Sequence, residues 1–407
     1  MLKYFALLLL LTGYDSIYTQ DIQIKSLATY TTDDRLAIPV LTSENKFIVE
    51  FDVLSDFEPT LSILFRFCEE GWMPTKNIFL LNQNRNSKQL FHFERLPVTV
   101  EDADYHFNGS FPDRDGFIEL PFSGKWRFYI TDRQDTSLVY AEGRFFVVNN
   151  QVNLHSALKT DELEDKNYWP VELAKVFNIT TNFNLPDDFF PSYVDHLEII
   201  QNRNIYETIV IERNANTLER QFKWDANRKF TYITRDIPAG NEYRQVDIRN
   251  FNFFSEKDVK AQRDGLEFSR FFLNAPPDLN GNKIYMDYKD HYATYHNVTF
   301  SIRPPEDVYG DIFLVGAFDD WRLSSEYKLQ SEAGIYSITI PLKRGIYDYQ
   351  YIVGDDIDGE VVNADWLALE GNTWNNKKVY DIFLYYNEPS LGGYERIIGY
   401  LKLPGKQ

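Results

Sequence analysis

The sequence predicts an all-β chain built from several β-sandwich domains, and three observations carry that expectation. The 407 residues are 16% aromatic, with 32 Phe, 27 Tyr and 7 Trp against only 3 Met, and aromatic side chains suit the pleated, half-buried surface of a strand. Apolar and polar residues alternate with period two in short runs, as strands buried on one face require. Clusters of Gly, Pro, Asp and Asn separate those runs, and no long apolar 3.6-residue periodicity competes with them.

Taken in order, the first twenty residues read as an export signal. Lys3 gives the positive end, and Tyr4 to Leu11 form an apolar run too short to span a bilayer. Cleavage is expected near Gln20. No cysteine lies nearby to accept a lipid anchor, so the mature chain is expected to be soluble.

A first sandwich of immunoglobulin-like type is expected over residues 21–150. In Lys46–Val53 the residues Phe47, Val49, Phe51 and Val53 face one way while Lys46, Glu50 and Asp52 face the other. Trp126, Phe128 and Ile130 repeat the pattern, and Ala141–Val148 closes the unit. The polar run Lys159–Lys166 reads as a boundary loop. Residues 151–295 form a middle β-rich domain with strands at Val171–Asn178, Val194–Gln201, Glu207–Glu212, Phe230–Thr234 and Tyr243–Ile248. Residues 296–407 form a third unit, with strands at Asn297–Ile302, Asp311–Val315, Tyr336–Leu342, Gly345–Val353 and Tyr380–Tyr386. Glu332–Gly334 and Lys343–Gly345 read as its hairpin turns. The three units are not repeats of one another.

Composition narrows the function. Lys and Arg number 42 against 61 Asp and Glu, a net charge of −19, which disfavours a phosphate backbone as partner. The single cysteine excludes an internal disulfide and a CxxC site, and Cys68 within LSILFRFC reads as a small buried residue. No GxSxG, GxxxxGK[ST] or HExxH string occurs. Of the six histidines only His291 and His296 are close, at a spacing that gives a metal no shared face. Asp355–Glu360 has the look of a calcium loop but lacks its distal Glu, and reads as a hairpin tip. No catalytic, metal-binding or cofactor-binding residue is expected, nor any small-molecule substrate. Trp321, Trp366 and Trp374 could instead form a flat sugar-stacking platform on the last unit, with core packing as the competing role.

Two resemblances add to this reading. The stretch from Ile312 to Val353 is similar to the early-set (E-set) immunoglobulin-like domain of glycogen-binding carbohydrate modules, through Gly316, Phe318, Trp321, Gly334, Tyr336, Leu342, Gly345, Tyr347, Tyr349 and Tyr351. The resemblance implies a sandwich more directly than it implies sugar binding, because those positions mostly pack and turn.

The mature chain as a whole resembles the plug proteins of the type IX secretion system of Bacteroidetes, once a domain of unknown function. The resemblance rests on ordered segments: Phe65–Asn77 with Trp72, GKWRFYI with Trp126, Ile199–Asn204, Ala239–Arg249, Phe313–Trp321 and Glu395–Tyr400. It implies a non-enzymatic periplasmic protein that seats against the mouth of a giant outer-membrane β-barrel translocon and keeps the empty pore shut. The alternative is a periplasmic glycan-binding protein using its C-terminal domain.

Overall fold

A computed structural model describes residues 22–163 and 170–405. The export-signal run lies outside the described residues. Within them every regular element is a strand or a single short 3₁₀ turn, with no α-helix. Among the described residues no helix is long and apolar enough to cross a membrane. The all-β expectation holds, and the strands sort into six sheets that face each other in pairs around three main apolar cores.

The first sandwich pairs a four-stranded sheet (Gln23–Thr31, Phe47–Leu54, Tyr105–Phe111 and Glu94–Arg95) with a five-stranded one. The latter runs Val40–Leu41, Val139–Val147, Gly124–Asp132, Leu61–Cys68 and Ser87–Gln89. Its core explains the aromatic excess of this part of the sequence. Phe47 stacks on Phe145 at 4.2 Å and meets Phe65 edge-on at 6.5 Å, while Phe67 meets Trp126 edge-on at 5.5 Å. Each such ring stabilises the fold by about 1.5–3 kcal/mol through burial, and favourable ring pairs add roughly 0.5–1.5 kcal/mol. Cys68 is buried, with its thiol pushed up to about 12 by desolvation, as a packed and unreactive cysteine should be.

The second and third sandwiches do not follow the linear division at residue 295. In the second, the sheet His155–Glu162, Lys175–Asn184, Lys229–Pro238, Arg220–Trp224 faces the sheet Ile209–Ile211, Val194–Gln201, Val379–Glu388, Tyr394–Pro404. Its last two strands come from the C-terminus. Tyr380, Ile382, Leu384 and Ile398 thus share a core with Phe177, Ile199 and Phe230. The third sandwich in return takes Arg244–Asp247, Asp258–Lys260, Glu267–Phe268 and Lys283–Tyr285 from the expected middle domain. It combines them with Tyr295–Arg303, Asp311–Gly316, Gln330–Glu332, Ile335–Lys343, Gly345–Ile357 and Glu360–Asp365. Pairing across sequence separations of nearly two hundred residues leaves no trace in local alternation.

Three local expectations are corrected. Val171–Ala174 is a 3₁₀ turn behind Pro170, and the strand starts at Lys175. The expected boundary loop is in part the strand His155–Glu162, whose exposed polar side chains are those of a protected sheet edge. Lys343–Gly345 is a corner rather than a hairpin, because the flanking strands belong to different sheets. Arg344 is buried there and donates to the carbonyls of Ile248 at 3.2 Å and Phe254 at 2.7 Å. By contrast Glu332–Gly334 does turn a hairpin, and Asp355–Glu360 spans another.

Candidate functional site

The three sandwiches meet along junctions that are themselves packed, and the most distinctive chemistry of the chain lies there. Between the first and second, Trp72, Phe146, Phe383, Tyr385 and Ile397 form a separate apolar cluster, with Phe146 stacked on Phe383 at 4.3 Å. At its margin the buried Lys125 ammonium meets Glu198 Oε2 at 3.0 Å, and Tyr385 donates to the same carboxylate at 2.7 Å. Beside it, His196 stacks on Tyr385 at 4.2 Å and its Nδ1 donates to Asp195 at 2.8 Å. Glu395 brings a third ligand-type atom, all three lying within 4.8 Å of one another. Asp195 and His196 are neighbours in sequence, yet both reach this spot because the register shifts between Val194 and Leu197.

The first and third sandwiches are joined through Asp52, whose carboxylate has no exposed surface. It accepts from His106 Nδ1 at 2.8 Å, Tyr295 OH at 2.9 Å and Lys343 Nζ at 2.6 Å. His106 in turn stacks on Tyr288 at 3.7 Å. Burial alone would raise the Asp52 carboxyl, but these donors outweigh it and hold the pKa below its ordinary value.

A cleft of about 580 Å³ opens between the second and third sandwiches. Gln201, Asn204 and Glu207 line it from one side, Gln350 and Trp366 from the other, and Asn241, Tyr243 and Lys378 lie along its margin. Beneath it sit carboxyl groups held in unusual states. Burial and the nearby Asp278 push Asp348 up to about 7, although Leu279 N (2.7 Å), Gly281 N (2.9 Å) and Gln245 Nε2 (3.0 Å) all donate to it. The same two causes push Glu242 up to about 7. Glu370 accepts from Arg244 Nε at 2.8 Å and from Tyr351 N at 3.0 Å.

The outer surface carries a fourth feature. Met73, Ile78 and Phe79, on the loop after Leu61–Cys68, are exposed together with Leu391 at the C-terminal hairpin turn. Asn77 Nδ2 donates to Leu391 O at 2.7 Å and draws the two loops into one apolar tip.

The residues singled out in the sequence separate clearly. Trp126 and Trp72 are buried in the first core and at the first junction. Gly316, Phe318, Gly334, Tyr336, Gly345, Tyr347 and Tyr349 all lie in the third sandwich, at packing or turn positions. The proposed sugar platform is not assembled. Trp321 is 1% exposed and donates to Gly281 O at 2.6 Å, and Trp374 packs on the second core and donates to Val176 O at 3.2 Å. Trp366 alone lines an open cleft. Sequence reasoning missed Asp52, Lys343, Lys378 and the Asp195, His196, Glu395 group, because each depends on contacts between distant segments.

No family model matches the chain, and neither does any curated protein. Among solved structures, a hypothetical protein from Parabacteroides merdae ATCC 43184 superposes with a TM-score of 0.76 at 18% identity, covering 95% of this chain and 98% of the other. That likeness shows the fold alone, and it extends over nearly the whole chain rather than one sandwich. A 1.5-MDa bacterial ice-binding adhesin aligns at 9% identity over 94% of this chain and 96% of that one, but its TM-score of 0.14 carries no argument.

Proposed function

We propose that this chain is the periplasmic plug of a type IX secretion translocon, a non-enzymatic body that closes the periplasmic mouth of a giant outer-membrane β-barrel while no cargo occupies it. The observation that carries this reading is the welding of three sandwiches into one unit by buried ion pairs at Asp52 and Lys125 and by the C-terminal hairpin. A closure over a wide pore needs a broad surface that does not deform. Breaking either buried pair would strand a charge, at a cost of about 3–5 kcal/mol. The ordered segments from Phe65 to Tyr400 that resemble the plug family support the same reading.

Contact with the barrel is assigned to the apolar tip of Met73, Ile78, Phe79 and Leu391. Exposed apolar side chains brought together from two distant loops are what a docking surface offers. Release then follows from relative affinity: a cargo or partner that favours the open barrel displaces the plug. The test is affinity purification of the tagged chain from gently solubilised outer membranes. A very large β-barrel should be recovered in stoichiometric amount, and Phe79→Asp with Ile78→Asp should abolish its recovery while leaving the chain folded. Recovery of the chain without any barrel would refute the proposal.

The glycan-binding alternative in its platform form has less support, since Trp321 and Trp374 donate their indole N–H groups into the protein interior.

A further inference from the structure

The ammonium of Lys378 lies in an unusual position. The residue is 5% exposed and lines the cleft between the second and third sandwiches. Among the described residues its Nζ makes no hydrogen bond or ion pair. Its nearest company is the ring of Tyr243, 4.8 Å from the Nζ to the centroid, and the Cα of Gly240, where a Cβ would come within 2.9 Å of it. Asp278 and Glu242 act on it only through space. A desolvated ammonium with three unused donors is costly unless an acceptor enters from the cleft.

The rest of the wall narrows what that acceptor belongs to. The Gln201 carboxamide, Asn204 Nδ2 and Gln350 Oε1 make no hydrogen bonds within the described residues, so donors and acceptors both remain available. Trp366, half-buried against the cluster that contains Trp321, adds aromatic surface. Glu207 and Asp365 also line the cleft, and with Glu370 already matched by Arg244 the wall is net negative even counting Lys378. An anionic ligand is therefore disfavoured, while a neutral ligand with many hydroxyls satisfies both kinds of group. The volume of about 580 Å³ lies within the range of small-molecule sites, roughly 300–1,000 Å³.

We propose that this cleft binds a neutral saccharide, with Lys378 and the free carboxamides hydrogen-bonding its hydroxyls and Trp366 contacting a ring face. The site is distinct from a three-tryptophan platform and keeps only Trp366 from it. It does not rest on the plug reading, because it needs no barrel.

The test is calorimetric titration of the full chain with maltotriose, cellotriose and tri-N-acetylglucosamine, with trigalacturonate as the anionic counterpart. At least one neutral trisaccharide should bind, and Lys378→Met and Trp366→Ala should each weaken it by about tenfold or more. Lys378→Met should melt no lower than the parent, since it removes a buried ammonium that has no protein partner. A lower melting temperature would instead mark Lys378 as structural and overturn the assignment. So would neutral-sugar affinity that survives both substitutions, preference for trigalacturonate, or no binding by any of the three neutral sugars at about 10 mM. Loss of barrel recovery with intact sugar binding, or the reverse, separates this proposal from the plug.

Discussion

Asp52 shows most clearly how a single residue ties this molecule together. On its own strand it points away from the first core, where a solvent-facing carboxylate would be ordinary. Here it is covered by the third sandwich and accepts from His106, Tyr295 and Lys343. Removing either Asp52 or Lys343 leaves the other buried without its counter-charge. Lys343→Ala is expected to destabilise the chain by about 3–5 kcal/mol, read as the shift of its urea midpoint. Asp52→Asn with Lys343→Met, which removes both charges, should recover much of that loss, because the cost lies in an unpaired charge rather than in an absent one.

The elements show where alternation is a sufficient guide and where it is not. Phe47, Val49, Phe51 and Val53 face one core as their spacing predicts, and Tyr347, Tyr349 and Tyr351 face another. The other face of Gly345–Ile357 is different. Asp348 and Gln350 alternate as outward polar residues should, yet both are buried: Leu279 N and Gly281 N, in the connection before Lys283–Tyr285, donate to Asp348, and Gln350 Nε2 donates to Trp366 O. Sheet edges and corners were hardly legible for a related reason. At Gly345 the chain passes from one sheet to the next, and a Cβ would sit 2.5 Å from the carbonyl oxygen of Ile284 on the neighbouring strand. Gly345→Ala should therefore push Lys283–Tyr285 away and cost about 1–3 kcal/mol, measured by thermal or denaturant unfolding.

Over the whole molecule the buried carboxyls set how stability varies with pH. Asp348 and Glu242 are raised to about 7, and Asp381 to about 6, all chiefly by burial. A raised carboxyl binds more protons folded than unfolded between its two pKa values. Stability from these groups is therefore full below about pH 4 and falls as pH rises through 6 and 7. Asp52, Asp102 and Asp113 are lowered and act oppositely, losing their contribution as pH falls below about 4. The melting temperature is expected to peak near pH 4 and to decline towards pH 7, and Asp348→Asn should flatten that decline. A peak at pH 7 or above in differential scanning calorimetry would contradict this assignment.

The sequence by itself determined the strand content, the faces that fill the three cores, the burial of Cys68 and the structural role of the glycine and tyrosine positions in the third sandwich. Those properties depend on neighbours two residues away, and the pleat of a strand transmits them directly. Only the tertiary structure decided that the C-terminal hairpin completes the second sandwich, that Trp321 and Trp374 are held by interior carbonyls, and that Asp52, Lys125 and Lys378 are buried. A period of two tells which side of a strand meets its own core. It is silent about what covers the opposite side, and in this chain the junctions and the cleft are built from those opposite sides.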